Sequence, residues 1–126
     1  MSTLLYIEVS PRKEQSYSVK IANAFLKTYQ AVNPNHRIDW LDLWKEPLPP
    51  FDGEALNAKY AILNGGGPSA KEQQAWGEIE AIFNRFNTAD KYVFSVPMWN
   101  FSIPYVLKHY IDLISPVSYT HLTLPT

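Results

Sequence analysis

The residues best placed to do chemistry fall in two short loops. The first is Ser10-Pro11-Arg12-Lys13-Glu14-Gln15-Ser16-Tyr17-Ser18, which follows a nearly continuous apolar run, Leu4 to Val9. It offers three hydroxyls, a cation and the free N–H groups of a helix start, a set of donors suited to a phosphate. Small hydroxyl side chains let the backbone come close to an anion and donate to it without adding charge. The same residues also suit a plainer role, with Ser10 in a turn, Ser16 as an N-cap and Arg12 solvated. The second loop is Pro97-Met98-Trp99-Asn100-Phe101-Ser102-Ile103-Pro104, after the apolar run Lys91 to Val96. It sets a thioether, two aromatics and an amide between two prolines. A loop this apolar at a strand end needs something to cover, and a flat heteroaromatic ring would meet that need, its polar edge facing Asn100 and backbone N–H groups. Core packing or a subunit contact would meet it as well.

Other chemistry is poorly supported. The chain has no cysteine, so thiolate nucleophiles, disulfides and thiolate metal sites are excluded, and redox chemistry must belong to a bound cofactor. His36, His109 and His121 have no second ligand at metal spacing, and no metal site is expected. Asp39, Asp42, Glu46 and Asp52 read as solvated or capping groups, and no Ser-His-Asp arrangement can be assembled. Gly65-Gly66-Gly67-Pro68 follows a helix pattern instead of a strand, which makes it a connection and not a phosphate cradle. The net charge of −1, without a basic run, argues against nucleic acid or an acidic membrane as partner. The N-terminal apolar run is too short for a signal sequence or a membrane span, which points to the cytoplasm.

These loops need elements to hold them. Leu4–Val9 and Lys91–Val96 are apolar enough for strands buried on both faces, whereas 37–43 alternates like an edge strand. A helix from Ser16 to Asn33 carries a polar stripe, Lys20, Asn23, Lys27 and Gln30, opposite Ile21, Ala22, Phe25 and Tyr29. Asp52 caps a helix ending at Asn64-Gly65, and Ser69 with Glu72 forms a capping box for the next, whose apolar face holds Trp76, Ile79, Phe83 and Phe86. Ser102 is read as the cap of a last helix containing Val106, Leu107, Tyr110, Ile111 and Ile114. The order β-α-β-α-α-β-α predicts an α/β parallel sheet with flanking helices. An order 2-1-3 places both loops at one crevice beyond the strand ends, and other doubly wound orders fit the same pattern.

Tyr6-Ile7-Glu8-Val9-Ser10-Pro11-Arg12 with Ser16-Tyr17-Ser18, and Pro97 to Pro104, together resemble the FMN-dependent NADH-azoreductase and NADH:quinone oxidoreductase family over Leu4 to Ile114. The resemblance implies a flavodoxin-like fold, here truncated to about three strands in order 2-1-3. It implies that Ser10, Ser16, Tyr17 and Ser18 hold the phosphate and ribityl chain of FMN, and that Met98, Trp99, Asn100 and Phe101 line its isoalloxazine. It further implies a homodimer, NADH as electron donor, and quinones or azo compounds as two-electron acceptors. No catalytic acid or base is expected, since the flavin carries the electrons.

Members of that family continue with a further strand, another flavin-contacting loop and closing elements that this chain lacks. Residues 1–115 are therefore read as an incomplete FMN-binding domain and 116–126 as an irregular, non-native tail. Two rival readings stand beside the enzyme: a flavodoxin-like FMN electron carrier without a pyridine-nucleotide site, and an inactive fragment that binds nothing.

Overall fold

The computed structural model describes the backbone of residues 1–123 and the side chains of residues 1–117. Three strands, β1 (Thr3–Glu8), β2 (Arg37–Asp42) and β3 (Lys91–Ser95), form one parallel sheet in the order β2-β1-β3. The register runs from Thr3 opposite Arg37 to Glu8 opposite Asp42, and from Leu4 opposite Lys91 to Glu8 opposite Ser95. All three carboxyl ends therefore lie at the same side of the sheet. The helices are α1 (Tyr17–Val32), α2 (Gly53–Leu63), α3 (Ala70–Asn87) and α4 (Tyr105–Thr123).

The chain divides into two compact units. The first, residues 1–47 and 87–108, contains the sheet and α1. Its central strand is apolar because both faces are covered: Leu4, Leu5, Tyr6 and Ile7 are all buried. Each such aliphatic side chain contributes about 1.5–3 kcal/mol by leaving water. Leu4 and Tyr6 pack with Ala22 and Leu26 of α1, flanked by Tyr29, Ile38 and Val93. The Tyr6 hydroxyl shares a buried hydrogen bond of 2.7 Å with Ser95 Oγ, so its polar end is satisfied inside the unit. Strand β2 is half-exposed, as its alternation predicts.

The second unit, residues 48–86 and 109–126, is helical. Ala55 and Ala58 of α2, Trp76, Ile79 and Phe83 of α3, and Leu113 and Val117 of α4 make one buried cluster. Local rules set the helix ends. Asp52 accepts from the Ala55 N–H, and Ser69 and Glu72 exchange side-chain and backbone bonds of 3.2 and 2.8 Å. At the end of α2, the N–H groups of Gly65 and Gly66 return to Ile62 and Ala61, with Gly65 at φ 74. That is a Schellman closure, which needs a residue without Cβ at the left-handed position.

The structure differs from the expectations at three places: the face that α1 buries, the start of α4 and its end. Ile21 and Phe25 are exposed on α1, whose buried residues are Val19, Ala22 and Leu26. Strand β3, though apolar in sequence, is the open edge of the sheet, as the order 2-1-3 implies, and Tyr92 and Phe94 are exposed. Ser102 does not cap α4; it pairs with Trp99, and the helix begins after the buried, φ-restricted Pro104. Residues 116–123, read as irregular, are helical and continue α4 through Pro116. The apolar period explains this, since Val117 lies one turn beyond Leu113 and buries into the same cluster. An interior proline costs a helix about 3 kcal/mol, which propensity alone would not recover. Residues 124–126 of the expected tail lie outside the described residues.

Candidate functional site

The two candidate loops leave the carboxyl ends of neighbouring strands, β1 and β3, within the first unit. In the first loop, Ser10 is buried and its Oγ accepts from the Arg12 N–H at 3.3 Å, which leaves the hydroxyl proton free to donate elsewhere. A 3-10 turn at Lys13–Gln15 then brings the chain to Ser16, whose N–H donates to the Lys13 carbonyl. Ser16 caps α1: its Oγ accepts from the Val19 N–H and meets Ser18 Oγ at 3.0 Å. With Val19 and Lys20 bonded back to Ser16, the N–H groups of Tyr17 and Ser18 are the first-turn donors that helix geometry leaves for an outside acceptor. Tyr17 itself is 79% exposed, and Lys20 Nζ lies 5.4 Å from its ring centroid. Hydroxyls and free helix-start amides are the donor types that an anion needs.

In the second loop, Trp99 and Ser102 exchange two backbone hydrogen bonds of 2.9 Å, closing a tight turn over Asn100 and Phe101. Both central residues have positive φ, 53 and 63, as a type I′ turn requires. Asn tolerates that region, but Phe does not, and such a residue carries strain of about 1–3 kcal/mol. Phe101 is nonetheless 95% exposed and Met98 73% exposed. The turn therefore holds an aromatic ring and a thioether out in solvent at a conformational cost, where a flat apolar ligand could cover them.

Trp44, which the sequence reading passed over, touches both loops' surroundings. Its Nε1 donates to the Val9 carbonyl, just before the first loop, at 2.6 Å. Its ring lies 5.8 Å from Trp99 and 5.5 Å, edge-on, from Tyr105. Lys13 was also missed. Its ammonium binds Glu8 at the end of β1, at 2.6 Å, and Asp42 at the end of β2. Burial alone would lower the Lys13 pKa, but its bonds to Asp42 and Glu8 outweigh that and raise it. Burial would likewise raise Asp42, yet the Lys13 bond and the Trp44 N–H hold it below the ordinary value. Strand pairing put Glu8 beside Asp42, and only the register reveals it. Burial pushes the Tyr6 hydroxyl up, so it stays protonated as the Ser95 partner.

Ser10, Ser16, Tyr17 and Ser18 thus all lie on the segment that runs from β1 into the first turn of α1, with Ser16 bonded to Ser18, and Trp99, Asn100 and Phe101 share one turn with Met98 just before it. Among the described residues, no group of three or more His, Asp or Glu could hold a metal ion.

A family described as having a flavodoxin-like fold matches residues 2–121. A relative from Desulfotalea psychrophila, named FMN-dependent NADH:quinone oxidoreductase, is 51% identical over 99% of this chain and 59% of its own length. One from Burkholderia lata with the same function in its name is 50% identical over 91% of this chain and 55% of its own. Among solved structures, azoreductase from Bacillus anthracis superposes with a TM-score of 0.83 at 36% identity, covering 91% of this chain and 56% of that one. An FMN-dependent NADH-azoreductase from the same species, solved in complex with FMN, gives 0.80 at 30% identity and the same coverage. The chain spans little more than half the length of the relatives it matches.

Proposed function

This chain belongs to the family with the flavodoxin-like fold, and from that premise we propose that it forms the FMN-holding part of an oxidoreductase that passes two electrons from NADH to quinones or azo compounds. The observation that carries the proposal is the pairing of an anion cradle and a strained, solvent-exposed aromatic turn at the carboxyl ends of adjacent strands. Ligands of open α/β sheets bind at that place. The residues present fit FMN: hydroxyls and amides for the phosphate, and Met98, Trp99, Asn100 and Phe101 for a flat ring with a polar edge. Nothing in the first loop provides the G-x-G-x-x-G turn that a dinucleotide pyrophosphate favours.

In this reading, bound FMN supplies hydride acceptance at the flavin and two-electron delivery to the acceptor. The protein binds and orients. Ser10 and the Tyr17 and Ser18 amides would donate to the phosphate, with the one hydroxyl proton that the Ser16–Ser18 bond leaves free. Phe101 and Met98 would cover the ring and exclude water from it, Trp99 would shape the space for the acceptor, and the Asn100 amide would meet the ring's polar groups. Trp44 packs against both Trp99 and Tyr105 and anchors to Val9. No side chain here is required to exchange a proton, so no catalytic acid or base is assigned.

A cytoplasmic homodimer belongs to the same proposal, supported by the family resemblance. The described residues contain no helix long and apolar enough to cross a membrane. Rapid mixing of the FMN-loaded protein with NADH tests the activity. Bleaching of the flavin by NADH, followed by reoxidation with a quinone, is the expected result. An FMN complex that NADH leaves oxidised would instead favour an electron carrier.

A further inference from the structure

We infer that Lys13, clamped between Glu8 and Asp42, is a positioning residue that sets the phosphate loop, and is not itself a phosphate ligand. This rests on the FMN reading above and goes beyond it by assigning a role to a charge cluster outside the cradle. Lys13 sits at φ 55, in the left-handed region. A residue persists there only where its surroundings over-determine it. The surroundings here are two carboxylates at the ends of adjacent strands: Glu8, which is buried, and Asp42, which is half-buried. The lysine stem therefore ties the loop to the rigid end of β1 and β2.

The tie is transmitted along the backbone. The carbonyl of Lys13 accepts the Ser16 N–H at 3.0 Å, and Ser16 in turn caps α1 and meets Ser18. Fixing Lys13 thus fixes Ser16, the residue that caps α1. An ammonium engaged by two carboxylates is also neutralised, so it has little charge left to offer a phosphate, whereas Arg12 is exposed beside it. Asp42 has a second bond that helps the test: its Oδ1 accepts the Trp44 N–H at 2.9 Å, and an asparagine can keep that bond while losing the charge.

The two roles predict opposite signs. If Lys13 bound phosphate, freeing it from Asp42 would tighten FMN binding; if Lys13 positions the loop, loosening it weakens FMN binding although a negative charge has gone. FMN and riboflavin differ only in the phosphate, so their dissociation constants, measured by flavin fluorescence, separate loop effects from ring effects. We expect Lys13→Met to weaken FMN at least tenfold and riboflavin less than twofold, with Lys13→Arg recovering most of the loss. Asp42→Asn should weaken FMN about threefold or more, again with riboflavin unchanged, and it carries the test if Lys13→Met does not fold. Tighter or unchanged FMN binding in Asp42→Asn, or equal losses for both flavins, would overturn the positioning role. A parent protein that binds neither flavin would overturn the cofactor reading itself, a distinct outcome.

Discussion

Ser18 shows how a single hydroxyl can be weighed. It is half-buried, one residue into α1, and bonded to Ser16 Oγ, not to the core. Ser18→Ala should therefore leave folding intact and weaken FMN. A hydrogen bond to a charged group is worth about 1.5–3 kcal/mol, which is roughly one to two decades in the dissociation constant. Titration of the apo-protein measures it, and an unchanged constant would reduce Ser18 to a helix-start residue. The clamp makes a prediction about pH. Asp42 has a lowered pKa in the fold, so its contribution to stability is complete above the ordinary value of 3.8 and is lost as pH falls through the lower, folded value. Lys13 is raised, so its contribution is complete below 10.5 and is lost as pH rises through the higher, folded value. Between those limits the stability difference between parent and Asp42→Asn should be flat, and it should shrink only in acid below about 3.8 or in base above about 10.5. Chemical denaturation at several pH values reads this directly. A difference that changes between pH 5 and 9 would mean that some other group governs it.

At the scale of elements, the local signals proved the most readable. The caps at Asp52, Ser69 and Glu72 and the stop at Asn64-Gly65 act through bonds to their near neighbours, so spacing alone reveals them. Strand β1 was legible because burial on both faces leaves an unbroken apolar run. The reading failed where tertiary packing decides. Ser102 has the right chemistry for a cap, but Asn100 and Phe101 turn the chain so that it pairs with Trp99 instead. Residues 116–126 read as irregular, yet Val117 buries and carries α4 onward. The Lys13 clamp was hidden for the same reason, since its carboxylates are 5 and 29 residues away in sequence and meet only through strand register. The caps also make a prediction. Asp52→Ala should destabilise the protein by about 1 kcal/mol, the usual worth of an N-cap. Denaturant midpoints measure that shift, and no shift at all would show that water replaces the Asp52 carboxylate at no cost.

For the chain as a whole, the open edge at β3 dominates. Tyr92 and Phe94 on that strand, with Ile21 and Phe25 of α1, line an exposed concavity of about 590 Å³ in the first unit. Unpaired strand edges with apolar side chains invite pairing with other chains. Residues 1–126 expressed alone should therefore self-associate in a concentration-dependent way, detectable by light scattering. The same residues completed with the C-terminal part of the 51%-identical relative should not. A monodisperse 126-residue monomer at high concentration would show that the edge is harmless. The identity of the cofactor can be read from the protein itself. The protein, in that completed form, is reconstituted with a mixture of FMN, FAD and riboflavin, freed of excess, and heated to release what it has kept for identification by mass. The expected product is FMN, close to one per chain, if the proposed serine cradle takes a terminal phosphate and the Met98–Phe101 turn covers the ring. Recovery of FAD alone, or of no flavin, would contradict it.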